Sequence, residues 1–312
     1  MKIIYWGSSA FGIPCLEELK KSCQILAVVT SPDKPKGRHL KITPGPIKIW
    51  AQNNNIPVLQ PEKLKDNIEF LNLIKSLKPD LFVVISYGKI IPKEYLKIPR
   101  IAPINVHPSL LPEYRGPAPM EWALMDGKKQ TGVSVIFVTD DVDAGNIISQ
   151  KSTFIEDRDN IFTLREKLSK IAVDVLTDSL VKLKNGYRGK QQEGKVSYAP
   201  KLKKTDGRIN WSNSATSIHN RIRAFADWPG TYTFLVSNKG CRMLKIISST
   251  VEKDTGIYES PGRFVDLNKK ILVACGEGIL RIERLQEQGK KQQNALDYLN
   301  GHFHLLKDGH FE

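Results

Sequence analysis

DLFVVISYG, residues 80–88, decides the fold class, because its run of five apolar residues ends in a polar turn. The segment before it, residues 67–79, has the apolar spacing of an amphipathic helix. Two further strand candidates, KIIYWG at residues 2–7 and ILAVVTS at residues 25–31, enclose another helical pattern. Nearly continuous Val/Ile/Leu strands that alternate with helices predict a parallel sheet covered by helices on both faces.

The pattern changes twice along the chain, which predicts two domains and a connection. A hairpin-like pair at residues 131–154 and a long amphipathic helix close the first domain, which we expect to span residues 1–186. Residues 187–204 are polar, basic and weakly periodic, as is typical of a linker. Short strands separated by Gly, Asn and Asp turns follow over residues 205–312, which predicts a small β-barrel domain.

The charge of the chain suggests a polyanionic partner. The 312 residues carry a formal net charge of +14, and Lys and Arg side chains that neutralise phosphates release counterions. A lysine-rich surface that keeps the protein soluble is the alternative explanation. Residues 187–312 hold 21 Lys/Arg and 13 Asp/Glu, a net charge of +8, whereas residues 1–186 hold 26 and 20, a net charge of +6. The linker and the second domain together are therefore the more basic part of the chain per residue.

One long loop in the first domain is also basic. KPKGRHLKITPGPIK, residues 34–48, holds five Lys/Arg residues and no acid, where a strand-to-helix connection is ordinarily short. We expect this insertion to bind an anion, with nucleic acid as the favoured partner.

Several classes of protein are not expected. No apolar run approaches the roughly 20 residues that span a bilayer, and the N-terminal residues lack a signal-peptide pattern. The four cysteines form no CxxC pair and no zinc-ligand spacing, which favours free thiols in a reducing cytoplasm. GSSAFG, residues 7–12, has neither the GxGxxG spacing for a dinucleotide nor the Lys of a P-loop. We interpret it as a glycine turn that allows close packing of strand and helix.

Candidate functional residues lie where two strands end. Asn105 and His107 are two residues apart near the carboxyl end of a predicted strand, so their side chains lie on the same face of the sheet. Open α/β sheets bind ligands at this end of their strands. A structural pair that hydrogen-bonds loop backbone is the alternative. The next strand ends in Asp140, Asp141 and Asp143, followed by Ala-Gly. A solvated acidic turn would explain two of these aspartates, but a D-x-G turn can direct one carboxylate back toward His107.

An amide donor, an imidazole and a carboxylate suit acyl transfer without a serine or cysteine nucleophile. The amide can stabilise an oxyanion, and the His–Asp pair can handle protons. The nucleophile must then come from a substrate.

NVHPSLLPEYRG at residues 105–116, together with GVSVIFVTDDVDAGNII at residues 132–148, resembles the signature of the 10-formyltetrahydrofolate-dependent formyltransferases. That family includes enzymes that act on glycinamide ribonucleotide, methionyl-tRNA and amino sugars. The resemblance implies a Rossmann-like domain in which formyl transfer needs no metal and is carried by Asn105, His107 and Asp143. It also implies a pocket for the co-substrate 10-formyltetrahydrofolate that includes Ser109, Leu110, Leu111 and Pro112.

The resemblance extends through the second domain, in APKLKKTDGRINW at residues 199–211 and LQEQGKKQQNALDYLNG at residues 285–301. A glycinamide ribonucleotide enzyme would lack this domain, and an amino-sugar enzyme would lack the basic insertion. The tRNA-directed branch is thus favoured, with an OB-like second domain that binds initiator methionyl-tRNA in a cytoplasmic monomer. Contacts to the tRNA acceptor end are implied for Lys34, Lys36, Arg38 and Lys41. An amino-sugar formyltransferase and a non-catalytic nucleic-acid binder remain the alternatives.

Two features of the second domain have a structural and a functional interpretation. Arg221 and Arg223 near Trp228 could hold nucleic acid by charge and stacking. A helix that packs on the barrel, with Trp228 in the core, is the interpretation that we favour. We expect a surface tail rather than a metal site for His302, His304 and His310.

Overall fold

Parallel strands followed by an antiparallel hairpin form the main sheet of the computed structural model, which describes residues 1–36, 41–253 and 256–312. The described strands and helices of the N-terminal region, in chain order, are β1 (Lys2–Gly7), α1 (Ile13–Ser22), β2 (Gln24–Val29), β3 (Lys34–Lys36), β4 (Lys41–Thr43), α2 (Pro46–Asn53), β5 (Val58–Leu59), α3 (Ile68–Ser76), β6 (Leu81–Ile85), α4 (Lys93–Leu96), β7 (Ala102–His107), α5 (Pro119–Met125), β8 (Gln130–Phe137), β9 (Ile147–Phe154) and α6 (Ile161–Lys184).

The order of strands in this sheet is β5-β2-β1-β6-β7-β8-β9. The first five in that order are parallel, because β1 pairs parallel with β2 and β6, β2 with β5, and β6 with β7. The hairpin of β8 and β9 then adds two antiparallel strands at one edge. This arrangement confirms the predicted Rossmann-like sheet.

The glycines after β1 make room for a buried tyrosine. The Tyr5 side chain is fully buried. A Cβ atom on Gly7 would lie 2.5 Å from the Ile85 carbonyl oxygen and 2.6 Å from the Tyr5 hydroxyl, and a Cβ atom on Gly12 would overlap the same hydroxyl. Because real Cβ atoms do not approach so closely, the two glycines serve strand–helix packing, as the sequence predicts.

The C-terminal region contains a second, antiparallel sheet. Its described elements, in chain order, are α7 (Ala215–Ala224), β10 (Thr231–Ser237), β11 (Gly240–Val251), β12 (Phe264–Asp266), β13 (Ile271–Ala274), β14 (Ile279–Glu287), β15 (Gln293–Asn294), α8 (Ala295–Leu306) and β16 (His310–Phe311).

The edges of this second sheet meet and nearly close a barrel. The strand order is β12-β13-β14-β11-β10-β16, with β15 paired to β14. Arg263, just before β12, bridges to His310 of β16, and the Phe311 N–H donates to the Gly262 carbonyl oxygen at 2.9 Å. Closure removes exposed strand edges. The predicted β-barrel is therefore confirmed.

The chain divides into two compact units that do not follow a single cut in the sequence. The first consists of Met1–Pro119, Gln130–Phe154 and Arg165–Pro200, and the second of Met120–Lys129, Ile155–Leu164 and Lys201–Glu312. No helix in the described ranges combines the length and apolar character needed to cross a membrane.

His219, on α7, makes the second unit sensitive to acid. Burial lowers the pKa of His219 below its usual 6.5, Arg223 lowers it further, and a hydrogen bond with Ser249 and the charge of Asp157 oppose this. The unfolded chain then binds the proton more readily, so stability begins to fall as the pH drops below about 6.5 and is lost as the pH falls through the lower pKa of the folded state. We expect His219→Gln to flatten the fall of Tm between about pH 7 and pH 5, measured by circular dichroism. His304→Gln, at an exposed position of α8, is the control and should leave the slope unchanged.

Candidate active site

Asn105 and His107, from β7, both face the carboxylate of Asp143, which lies in the loop after β8. Asn105 and His107 are two residues apart on β7, and His107 is its last residue. The Asn105 Nδ2 atom donates to Asp143 Oδ1 at 3.0 Å. The His107 Nδ1 atom lies 3.5 Å from Asp143 Oδ2, an ion-pair rather than a hydrogen-bond distance, and both side chains are nearly buried.

The loop after β8 selects Asp143 from the three candidate aspartates. Asp143 has a left-handed backbone, with φ of +53°, that Asp tolerates better than most residues. A Cβ atom on Gly145 would overlap the Phe137 carbonyl oxygen, so the turn needs a glycine there. Asp140 instead pairs with Lys93 at 2.6 Å, and Asp141 is exposed. Only the third carboxylate of the series reaches the polar pair on β7.

The ring of His107 is held between two hydrogen-bond acceptors. Its Nε2 atom lies 2.9 Å from the Tyr114 carbonyl oxygen. A carbonyl oxygen only accepts, so Nε2 carries a proton in this arrangement. The other ring nitrogen faces the Asp143 carboxylate. The doubly protonated ring is the form that can donate on both sides.

Two backbone groups of the site were not predicted from the sequence. Besides the Tyr114 carbonyl, the Gly116 N–H donates to Asp143 Oδ2 at 2.9 Å. Gly116 has a φ of +115°, and a Cβ atom there would lie 2.8 Å from the Ala199 carbonyl oxygen. The glycine in EYRGP was the available signal, because this conformation favours glycine.

The segment predicted to bind folate forms a rigid turn after β7. Ser109 is fully buried, and its hydroxyl donates to the Glu113 carbonyl oxygen at 2.6 Å. The Ser134 hydroxyl joins the turn to β8, since it donates to the Ser109 carbonyl oxygen at 2.6 Å and accepts from the Leu111 N–H at 3.1 Å. Leu111 and Pro112 are buried and Leu110 is half-buried.

A cavity of about 470 Å³ lies beside the start of β7 and the loop that follows β8. Pro103, two residues before Asn105 on β7, lines it together with Ala144 and Gly145, which follow Asp143. Its volume is in the usual range for small-molecule sites, about 300–1,000 Å³. The remaining lining residues are Leu96, Pro99, Ile101, Ala102, Phe137, Thr139, Asn146 and Arg188.

A half-buried ion pair joins the last residue of the basic insertion to the residue that precedes it. The Lys48 Nζ atom lies 2.6 Å from Asp33 Oδ2, and Gln60 donates to the other carboxylate oxygen at 2.9 Å. These hydrogen bonds lower the pKa of Asp33. Of the predicted tRNA contacts, Lys34, Lys36 and Lys41 belong to the hairpin of β3 and β4, and Arg38 lies outside the described residues.

The arginines of α7 have structural partners, whereas the nearby tryptophan does not lie in the core. The Arg221 Nη1 atom donates to the Asp206 carbonyl oxygen at 2.6 Å, and the Arg223 Nε atom donates to Asn220 Oδ1 at 2.9 Å. Trp228 is 51% exposed, so the favoured core position was wrong. The turn that ends α7 places the ring outside the packed face.

The cysteines are free thiols, and burial raises the pKa of Cys15 and Cys275 to about 12.

In the described part of the chain, no group of three His, Cys, Asp or Glu side chains is placed to hold a metal ion. The C-terminal histidines lie on α8 and β16, so the expected tail is an ordered helix and strand.

Known proteins match the chain along nearly its full length. A formyl transferase family model matches residues 1–180, and a model of the formyl transferase C-terminal domain matches residues 201–303. The methionyl-tRNA formyltransferase of Dictyoglomus thermophilum is 43% identical over 307 residues, 97% of each chain. That of Thermodesulfovibrio yellowstonii is 42% identical over 301 residues, 96% of this chain and 95% of the relative.

A solved structure shows the same fold at lower identity. It is an N-formyltransferase from Helicobacter canadensis in complex with folinic acid and dTDP-3-aminofucose. The TM-score is 0.65 at 21% identity, over 90% of this chain and 99% of that one.

Proposed function

This chain belongs to the formyltransferase family, and from that membership we propose that it transfers the formyl group of 10-formyltetrahydrofolate to the methionine amino group of initiator methionyl-tRNA. It is a one-carbon group transferase whose product, N-formylmethionyl-tRNA, serves translation initiation. The extent of the match carries the substrate assignment. Relatives named for methionyl-tRNA align with 96–97% of the chain, including the C-terminal domain.

A comparison of substrates tests this function. The enzyme is incubated with 10-formyltetrahydrofolate and either charged initiator methionyl-tRNA or a dTDP-linked amino sugar, and the formylated products are quantified. Formylated methionyl-tRNA alone is expected. Formylation of the sugar alone would assign the chain to the amino-sugar branch. If neither substrate gave a product, the remaining interpretation would be a non-catalytic nucleic-acid binder.

Asn105 and His107 are proposed to stabilise the charge that develops during transfer. The neutral amino group attacks the formyl carbon, and negative charge develops on the formyl oxygen. Asn105 has two amide N–H donors and uses one on Asp143, so the other can serve this oxygen. Protonated His107 adds positive charge, while the Tyr114 carbonyl and Asp143 fix its ring.

Asp143 is proposed to orient the donors and to help remove the ammonium proton of the attacking amine through water. Its Oδ1 atom accepts from Asn105, and its Oδ2 atom accepts from the Gly116 N–H. The bond between the formyl carbon and N10 then breaks, and N10 leaves with the proton that the amine gave up, which returns through the same water. The amine thereby becomes the formamide of the product.

The cavity beside Asp143 is proposed to hold the pterin of the folate. Pro103, Ala102, Ile101 and Phe137 give it apolar walls that suit a flat heterocycle, and Asn146 supplies a polar group. We further propose that the turn of Ser109, Leu110, Leu111 and Pro112 supports the folate pocket. The buried hydroxyls of Ser109 and Ser134 hold this turn rigid.

The region beyond residue 204 is proposed to bind tRNA through its basic surface, with residues 187–204 as the connection to the catalytic domain. The net charge of +8 over residues 187–312, which the linker and this region share, supports this role, because phosphate contacts release counterions. We also propose that the enzyme acts as a monomer in the cytoplasm, where aminoacylated tRNA is found. Analytical ultracentrifugation would test the monomer, since a dimer would sediment as a particle of twice the mass.

Arg38→Ala is expected to raise the KM for tRNA and to make log KM less dependent on log salt. Loss of one phosphate contact should lower that slope by about 0.9. Steady-state assays over a salt series measure both effects. Lys75→Ala, which removes an exposed charge on α3, is the control. An Arg38→Ala slope equal to that of the control would mean that the insertion is merely solvated.

A further inference from the structure

The polypeptide between residues 190 and 199 is hydrogen-bonded to β9 beside the loop of Asp143 and to the loop whose Tyr114 carbonyl contacts His107. Lys190 and Ile147 exchange backbone hydrogen bonds of 2.7 and 2.9 Å beside the loop of Asp143. Further along, Ser197 accepts from the Tyr114 N–H through its hydroxyl at 2.9 Å and from the Arg115 N–H through its carbonyl at 2.9 Å. A stretch that reads as a linker in the sequence is thus bonded to the site.

Gln192 occupies the centre of this stretch, and its amide joins the two loops. The Gln192 Nε2 atom donates to the carbonyl oxygens of Asp143 and Gly145, at 2.8 and 2.9 Å. The Oε1 atom accepts from Arg115 Nε and Nη2, at 3.1 and 2.7 Å. The guanidinium only donates and the carbonyls only accept, so the four contacts determine the orientation of the amide.

The backbone that Gln192 holds is the strained part of the loop. Asp143 has the left-handed φ of +53°, and its carbonyl oxygen is one of the two acceptors. A small change in this backbone would move the carboxylate relative to Asn105 and His107. Displacements of about 1 Å at a reacting centre can cost on the order of 10²-fold in rate.

We infer that Gln192 is a positioning residue for formyl transfer, which holds the Asp143 carboxylate in register by fixing its backbone, with Arg115 holding Gln192 in turn. This inference rests on the proposed function. Gln192 is half-buried, and among the described residues its side chain hydrogen-bonds Asp143, Gly145 and Arg115 rather than Asn105 or His107, so it acts through Asp143.

The test is Gln192→Glu. A carboxylate keeps the acceptor for Arg115 but has no N–H to donate, and it places negative charge against the two carbonyl oxygens. We expect kcat to fall about 10- to 100-fold with unchanged KM for tRNA and folate. Rates are normalised to folate sites titrated by fluorescence, so that a misfolded fraction does not contribute.

Gln191→Glu is the matched control, because it makes the same change at the exposed neighbouring residue. Wild type and Gln191→Glu should formylate methionyl-tRNA alike. If neither did so, the proposed function would fail rather than this inference. If both were active and Gln192→Glu matched them in kcat, or differed only in the KM for tRNA, the positioning role would be wrong.

A double-mutant cycle separates positioning from general structural support. Because Gln192 acts through Asp143, Gln192→Glu should lower kcat little further in an Asp143→Asn background. A full additional 10- to 100-fold loss in that background would show that Gln192 acts by another route and would overturn the inference.

Discussion

Asp143→Asn is expected to lower kcat for formyl transfer on the order of 10²- to 10⁴-fold, with little change in folate affinity. The two carboxylate oxygens accept from Asn105 Nδ2 and the Gly116 N–H and face His107 Nδ1. An asparagine has one oxygen for these donors, so its NH2 group would face one of the donors that the carboxylate accepts from. The shape of the residue is kept, so the loss reports on charge and hydrogen bonding. Single-turnover rates with saturating substrates measure it.

Asp141→Asn is the control for this substitution. It removes the same charge from an exposed position of the same loop, two residues earlier. Its kcat should equal that of the wild type. Equal losses in the two variants would show that the general charge of the loop, rather than the contacts of Asp143, supports the reaction.

Asn105→Ala and His107→Ala are each expected to lower kcat on the order of 10²- to 10³-fold, the usual loss when one group that stabilises an oxyanion is removed. Folate affinity should change little, because the amide and the imidazolium act on charge that develops in the transition state. Equilibrium titration with folate and single-turnover assays separate the two quantities. His304→Ala at an exposed position is the control. Near-normal turnover in either variant would remove that residue from the proposed mechanism.

The effects of Asn105 and His107 are also expected to be coupled. Asn105 and His107 both contact Asp143, so the combined variant should lose less than the product of the single losses. Fully multiplicative losses would indicate two independent roles.

Local patterns in the sequence were sufficient for the strands of the main sheet and for the face that carries the polar pair, but not for the hairpin of β3 and β4, which lies where a loop was predicted. β6 and β7 were predictable because buried parallel strands have continuous apolar runs, and alternation places Asn105 and His107 together. The sequence also limited the third partner to three aspartates. The choice of Asp143 depends on the turn at Gly145 and on Lys93, which pairs with Asp140 from a distant helix.

Long-range contacts explain what the sequence could not predict. The Tyr114 carbonyl and the Gln192 amide contact the site from irregular segments, whose sequences have neither helix nor strand periodicity. Residues 187–204 look like a linker because their hydrogen bonds go to other segments rather than to one another. Trp228 was misplaced because an apolar ring after a helix is more often buried than half-exposed.

The central claim is that Asn105 and His107 promote formyl transfer to methionyl-tRNA by stabilising the charge that develops, and labelled formyl carbon tests it most directly. Enzyme in excess, with 10-formyltetrahydrofolate labelled in the formyl carbon, is mixed with charged initiator tRNA and quenched at intervals. We predict that the label appears on the methionine nitrogen in one exponential phase, and that this phase slows on the order of 10²-fold or more in Asn105→Ala/His107→Ala. A double variant that moves the label as fast as the wild type would contradict the account.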